Sequence, residues 1–207
     1  RSMSKGDSLV TLSTELTSNP AQGDVPYGTL TTMSESPFRF GLIYVGTDDG
    51  MIHLSKDGGY TFTLLSAKLP KGLYVSRVLA SAYSESRVYA TLNGYRNDYF
   101  NAYVYVSDDY GTTWKQIMKD LPLEAVNVIT EDNLSSQVLY VGTDGGLYVS
   151  TDGGTSSMGW SKGLPNAVPI HDIVIHPRDN EIILGTHGRS LYTSKLDDLH
   201  KKVQVKK

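Results

Sequence analysis

Short apolar runs bounded by Gly and Asp recur along the chain: Leu42-Ile-Tyr-Val-Gly-Thr-Asp48, Val138-Leu-Tyr-Val-Gly-Thr-Asp144 and Ile182-Ile-Leu-Gly-Thr-His187, with a looser copy at Val88-Tyr-Ala-Thr-Leu-Asn93-Gly94. Each is followed by a second short run: Met51 to Leu54, Tyr103 to Val106, Leu147 to Val149, and Ser190 to Tyr192. Val, Ile, Leu and Tyr punctuated in this way predict strand-turn-strand pairs. Upstream of the last three copies lies a further apolar run: Val75 to Ala80, Val126 to Thr130, and Ile170 to Ile175. Each of the three units before the last closes on a polar strand and a Leu-Pro turn, at Leu69-Pro70, Leu121-Pro122 and Leu164-Pro165. Proline lacks the N–H a ladder needs, so these turns suit connections between sheets. One unit therefore reads as four strands, A to D.

The C–D turn carries a signature. Ser55-Lys-Asp57-Gly-Gly59-Tyr-Thr61-Phe62, Ser107-Asp-Asp109-Tyr-Gly111-Thr-Thr113-Trp114 and Ser150-Thr-Asp152-Gly-Gly154-Thr-Ser156 share Ser-x-Asp-x-Gly, and Trp160 is read as the displaced aromatic of the third copy. The aspartates are 52 and 43 positions apart, near the ~40–50 residues of a four-stranded blade. Ser2 to Leu9 reads as a decayed copy, which makes residues 9–17 an outer strand D. Four complete sets follow if that strand joins the final A, B and C strands. The other reading is a fragment of a larger array, preferred because Arg1 falls inside a motif.

The signature and the paired YVGT and GLYVS strands resemble the Asp-box, or BNR-repeat, β-propeller superfamily over residues 1–195. Leu184-Gly-Thr-His-Gly-Arg189 and Tyr74-Val-Ser-Arg77 bring the likeness closer to large secreted bacterial propeller proteins of glycosyl hydrolase and sortilin-like type. The expected fold is all-β: a β-propeller of four-stranded antiparallel blades, about four blades of a larger ring. Residues 1–17 supply an outer strand, 24–66, 75–118 and 125–162 three blades, and 170–195 the A to C strands of the last. The Lys-rich tail, 196–207, is expected to be a linker or frayed end. The resemblance implies a secreted, periplasmic or cell-surface location. It does not choose between binder and enzyme, because both occur on this scaffold.

Composition narrows the field. At 207 residues the chain can bury roughly 70% of its unfolded surface. The net charge of −3, with no basic patch, argues against nucleic acid as a partner. The absence of cysteine excludes disulfides and thiolate metal sites. No apolar run approaches ~18 residues, so none predicts a membrane helix.

Strand order separates structural from functional candidates. C–D turns lie on the face opposite the B–C loops. The signature residues Ser55, Asp57, Gly59, Ser107, Asp109, Gly111, Trp114, Ser150, Asp152 and Gly154 are therefore read as turn builders: Asp accepts N–H bonds in its own loop and Gly supplies positive φ. Ligand candidates cluster in the B–C loops and at the starts of strand A, namely Arg77, Asn93, Tyr95, Arg96, Asp98, Tyr99, His171, Asp172, His187 and Arg189. Tyr95, Tyr99 and Phe100 suit stacking on a sugar or filling a partner's pocket. His171 beside Asp172 could orient a base or a metal ligand, or simply line the channel. No metal set is assigned. Asp48, Asp49, Asp98 and Asp144 give a weak Ca²⁺ signal without a compact acidic loop, and His53 reads as a satisfied sheet histidine.

Two function classes follow. The first is a non-catalytic module of a larger secreted protein, gripping a glycan, protein or peptide through the B–C face. The second is part of a xyloglucanase-type or sialidase-like glycoside hydrolase, with its active site shared with other blades. No arginine triad with a Tyr–Glu pair is recognisable, and no pair among Asp48, Asp49, Asp98, Asp144 and Asp172 stands out.

Overall fold

The computed structural model describes residues 1–18 and 28–205, with side chains through residue 201. The expected first-blade start at residue 24 and the last two lysines lie outside the described residues. Sheet I holds β1 (Leu30–Glu35), β2 (Ile43–Thr47), β3 (Ile52–Ser55) and β4 (Thr63–Leu64). Sheet II holds β5 (Tyr74–Ala80), β6 (Val88–Gly94), β7 (Tyr99–Ser107) and β8 (Lys115–Gln116). Sheet III holds β9 (Val126–Glu131), β10 (Leu139–Thr143), β11 (Leu147–Ser150) and β12 (Met158–Gly159). Sheet IV has three strands: β13 (Ile170–His176), β14 (Glu181–Thr186) and β15 (Leu191–Lys195). All four are antiparallel meanders in chain order, as expected for part of a β-propeller.

First strands of successive sheets pack side by side, β1 on β5, β5 on β9 and β9 on β13. Hydroxyls of β1 stitch the first of these contacts: Thr32 Oγ1 accepts the Val78 N–H at 3.2 Å and Ser34 Oγ accepts the Ala80 N–H at 3.0 Å. In sheets I to III strand B is buried on both faces, which is why it reads as a continuous apolar run. Its alternate residues divide between neighbours. Tyr44 joins the core between sheets I and II, Tyr89 that between II and III, and Tyr140 that between III and IV. The glycines of YVGT are required by close approach. A Cβ on Gly46 would stand 2.5 Å from Val75 Cγ1, and one on Gly142 2.7 Å from Ile170 Cγ2.

The signature turns set the outer register between sheets. A Cβ on Gly111 would meet Leu65 Cδ1 at 2.4 Å, and one on Gly154 would meet Ile117 Cδ1 at 2.8 Å. Gly59 meets Leu12 in the same way, at 2.9 Å. The residue just after each strand D thus covers the next sheet's turn, and Leu12 holds that position for sheet I. Residues 9–17, expected as an outer strand, carry no strand assignment. They lie over sheet I, where Leu16 packs with Ile43, Val45 and Phe62, and the Arg1 guanidinium donates to the Gly58 carbonyl. They do not pair with β15, and among the described residues the four sheets do not close on themselves.

Two further expectations are corrected. Trp160 is not the aromatic of the third signature turn: counting from Asp152 as Phe62 counts from Asp57, that position is Ser157. Trp160 instead matches Leu65 and Ile117, because its N–H donates to Leu147 O as theirs donate to Ile52 O and Val104 O. It fills the core between sheets III and IV beside Tyr140. The tail is not a linker or frayed end throughout, since Asp197–Val205 forms helix α1. Leu196 is fully buried against sheets III and IV, and Leu199 packs beside it. His200 Nε2 lies 2.8 Å from Asp132 Oδ2, which also accepts the Tyr140 hydroxyl at 2.8 Å. Asp197 and Asp198 sit in the first turn, where carboxylates favour the helix dipole.

Candidate functional site

The B–C loops and the starts of strand A in sheets II, III and IV enclose an open cavity of about 600 Å³. The β6–β7 hairpin supplies one wall. Its backbone turns at Gly94, where a Cβ would strike Tyr99 O at 2.6 Å, and again at Asp98 with φ +56°. The Asn93 side chain fixes the bend by accepting the Tyr95 N–H at 2.9 Å, while Asn97 donates to Gly72 O at 2.9 Å. Tyr95 is thereby held in the open, edge-on to Phe100 with centroids 6.1 Å apart. The Arg96 guanidinium carbon lies over the Tyr74 ring, 5.2 Å from its centroid, a cation–π contact with the wall.

A hydrogen-bonded relay of amides crosses the cavity floor. Asn93 Nδ2 donates to Asn127 Oδ1 at 3.0 Å, and Asn127 Nδ2 donates to Asp144 Oδ1 at 2.8 Å. The relay links β6, β9 and the loop after β10, so the floor is stiff before any ligand arrives. Opposite, the His171 and His187 rings lie 5.3 Å apart and inclined by 38°. Ser76 is spent on Thr91 and on Val126 O and serves the scaffold.

Five of the expected residues line this cavity together: Asn93, Tyr95, Arg96, His171 and His187. The other five do not line it. Arg77 and Asp172 pair with each other at 2.6 Å, a partly exposed contact of small net value. Asp98 and Tyr99 occupy the outer part of the β6–β7 hairpin, and Arg189 lies two residues beyond His187 in the same β14–β15 loop. Tyr74 and Pro169 were not foreseen as lining residues. Each precedes an anticipated strand-A residue by a few positions, so the unit register itself would have located them.

Two of the four acidic residues considered for Ca²⁺ are drawn into the scaffold. Asp48 accepts N–H bonds from Gly28 and Thr29 at 3.0 Å, and Asp49 accepts Ser18 N–H and Oγ–H at 2.6 Å. Asp144 alone belongs to the cavity wall. Among the described residues no group of three or more His, Asp or Glu is placed to hold a metal ion. The signature carboxylates lie outside the cavity, each saturated by its own loop. Asp57 Oδ1 accepts Tyr60 and Thr61 N–H bonds at 3.0 Å, and Oδ2 accepts Thr61 Oγ1–H at 2.6 Å.

No family model matches the chain, and no curated protein matches it. Solved structures do. The GH74 xyloglucanase of Xanthomonas campestris is similar with TM-score 0.63 and 16% identity, over 81% of this chain and 29% of that one. The extracellular domain of a B. thetaiotaomicron protein described as a hybrid two-component system gives TM-score 0.60 and 21% identity, over 82% and 22%. YCF48 bound to D1 peptide gives TM-score 0.58 and 16% identity, over 82% and 52%. At such identities the likeness establishes the propeller fold alone. The chain spans less than a third of the xyloglucanase.

Proposed function

We propose that this chain is a non-catalytic Asp-box propeller module of a larger secreted or cell-surface protein, and that its B–C mouth grips a glycan chain. The observation that carries the reading is the lining: a projecting tyrosine, a guanidinium over a second tyrosine ring and a hydrogen-bonded amide floor, with one carboxylate. Rings offer flat apolar faces to sugars, while amides and imidazoles exchange hydrogen bonds with hydroxyls. Glycoside hydrolysis by the common route asks for two carboxyls ~5–9.5 Å apart, and the described wall supplies only Asp144.

The xyloglucanase supports a polysaccharide-related setting, and the extracellular domain supports a place outside the cell. Similarity to a propeller bound to a peptide favours a second reading, an extended peptide in the same mouth. An active site shared with further blades is the catalytic alternative. The test is calorimetric titration of the full chain with β-glucan and sialylated oligosaccharides and with a peptide library, each also assayed for cleavage. We expect saccharide binding without cleavage, weakened at least about tenfold, or 1.4 kcal/mol, by Tyr95→Ala and by His187→Ala. Both variants should melt with the parent chain, since Tyr95 is largely exposed. Peptide binding alone, or turnover of any glycan, overturns the reading.

A further inference from the structure

A second, smaller cavity adjoins the mouth. It is a groove of about 220 Å³ bordered by the B–C loop of sheet III and the connection from sheet III to sheet IV. Tyr148, Gly159, Trp160, Pro165, Asn166 and Ala167 are among its lining residues. Mouth and groove meet along two short seams. On one side Asp144 lines the mouth and Gly145 the groove; on the other Pro169 lines the mouth and Val168 the groove. Residues adjacent in a chain lie about 3.8 Å apart at Cα, so a single peptide separates the two cavities at each seam.

The seam on sheet III is low because its loop is short and bare. Four residues separate the paired Gly142 and Leu147, against five between Gly46 and Ile52, five between Gly185 and Leu191, and ten between Leu92 and Tyr103. Two of those four are glycine. A Cβ on Gly145 would strike the Glu124 carboxylate, which the Thr143 hydroxyl holds in place at 2.6 Å, whereas one on Gly146 would meet no atom within 4 Å. In sheet I the residue after the loop's first aspartate is Asp49, whose carboxylate accepts bonds from Ser18. The second seam is shaped by the connection between sheets. Pro165 brings no N–H to a ladder, and Ala167 turns the backbone toward β13 with φ +50°.

We infer that this groove is a second subsite for the glycan in the mouth, taking the next sugar unit of a chain that leaves the mouth over Gly145 and Gly146. The inference rests on the mouth binding saccharide. The lining suits a sugar. Tyr148 and Trp160 offer partly exposed ring surface and Pro165 an exposed apolar face, while the exposed Asn166 amide and Ser161 hydroxyl can exchange hydrogen bonds with sugar hydroxyls. The Tyr148 hydroxyl donates to Glu124 Oε2 at 3.4 Å, which ties the ring to the loop it borders. A chain long enough to cross the seam gains these contacts, and a short one confined to the mouth does not.

The test is calorimetric titration of the full chain with a disaccharide and a hexasaccharide of the β-glucan series, and with short and extended sialylated oligosaccharides. In the series that binds, the longer member should bind at least about tenfold more tightly. Gly159→Trp fills the groove without strain, because a Cβ there meets only Tyr148 Cε1, at 3.8 Å. It should erase that gain and leave both the short member's affinity and the melting temperature unchanged. Gly146→Trp, placed where the space is empty, should erase the gain by obstructing the passage. Binding that is indifferent to length, or a gain that survives both tryptophans, overturns the subsite and leaves the reading of the mouth standing. Failure of every saccharide to bind overturns both.

Discussion

At the residue scale the signature carboxylates show how conspicuous chemistry can be structural. Asp57 and Asp109 are pulled down to about 2, Asp57 first by the Thr61 hydroxyl and N–H, Asp109 first by the Thr113 N–H and hydroxyl. Asp152 is lowered too, its burial outweighed by bonds from Ser156 and Ser150. Such groups hold no proton near neutrality, and both oxygens of each accept bonds within their own turn. Because their folded pKa values are depressed, their contribution is complete above the ordinary carboxylate range and is lost as pH falls from ~4 through about 2. Thermal melts across that range should drop steeply, and an Asp57→Asn, Asp109→Asn variant should melt lower at pH 7 with a flatter acid limb. Gly111 offers a second check. Its φ of +85° and the 2.4 Å approach to Leu65 lead us to expect Gly111→Ala to cost about 2–4 kcal/mol in urea unfolding.

At the element scale, strand pairs were legible because strand B is buried on both faces and its glycine is imposed by a neighbour's branched residue. Tyr44, Tyr89 and Tyr140 recur in the text for the same reason: each lies between two sheets. The same text concealed two features. Trp160 invited pairing with the signature turn, although its role is set by the ladder bond to Leu147 O, which composition does not display. Leu196, just before helix α1, and Leu199 and the buried His200 within it sit at helical spacing among lysines and aspartates, which hides them. These side chains close the end of the core between sheets III and IV. Leu196→Ala should therefore cost about 2–4 kcal/mol, and hydrogen exchange should quicken in α1 and around Asp132 before it does in sheet I.

At the scale of the whole molecule, fold and site were legible to different degrees. The fold is written redundantly, once per unit, so a lost aromatic in one copy leaves the pattern readable. The mouth is written once. Loop order placed Asn93, Tyr95, Arg96, His171 and His187 together, yet it could not show that Arg77 and Asp172 neutralise each other or that the far part of the hairpin points away. Pairing of side chains from sheets II and IV depends on their separation in space, and a linear pattern carries no measure of that. The division nevertheless follows from topology: turns that build the array on one side, loops that line the mouth on the other.

That division is tested most directly by backbone amide NMR of the full chain during titration with xyloglucan oligosaccharides and the wider saccharide panel. The account expects shifts at Asn93 to Asn97, Asp144 to Gly146, His171 and His187, with the amides of Asp57 to Thr61, Asp109 to Thr113 and Asp152 to Ser156 unmoved. Shifts confined to those turns, or a mouth silent to every saccharide, would contradict it.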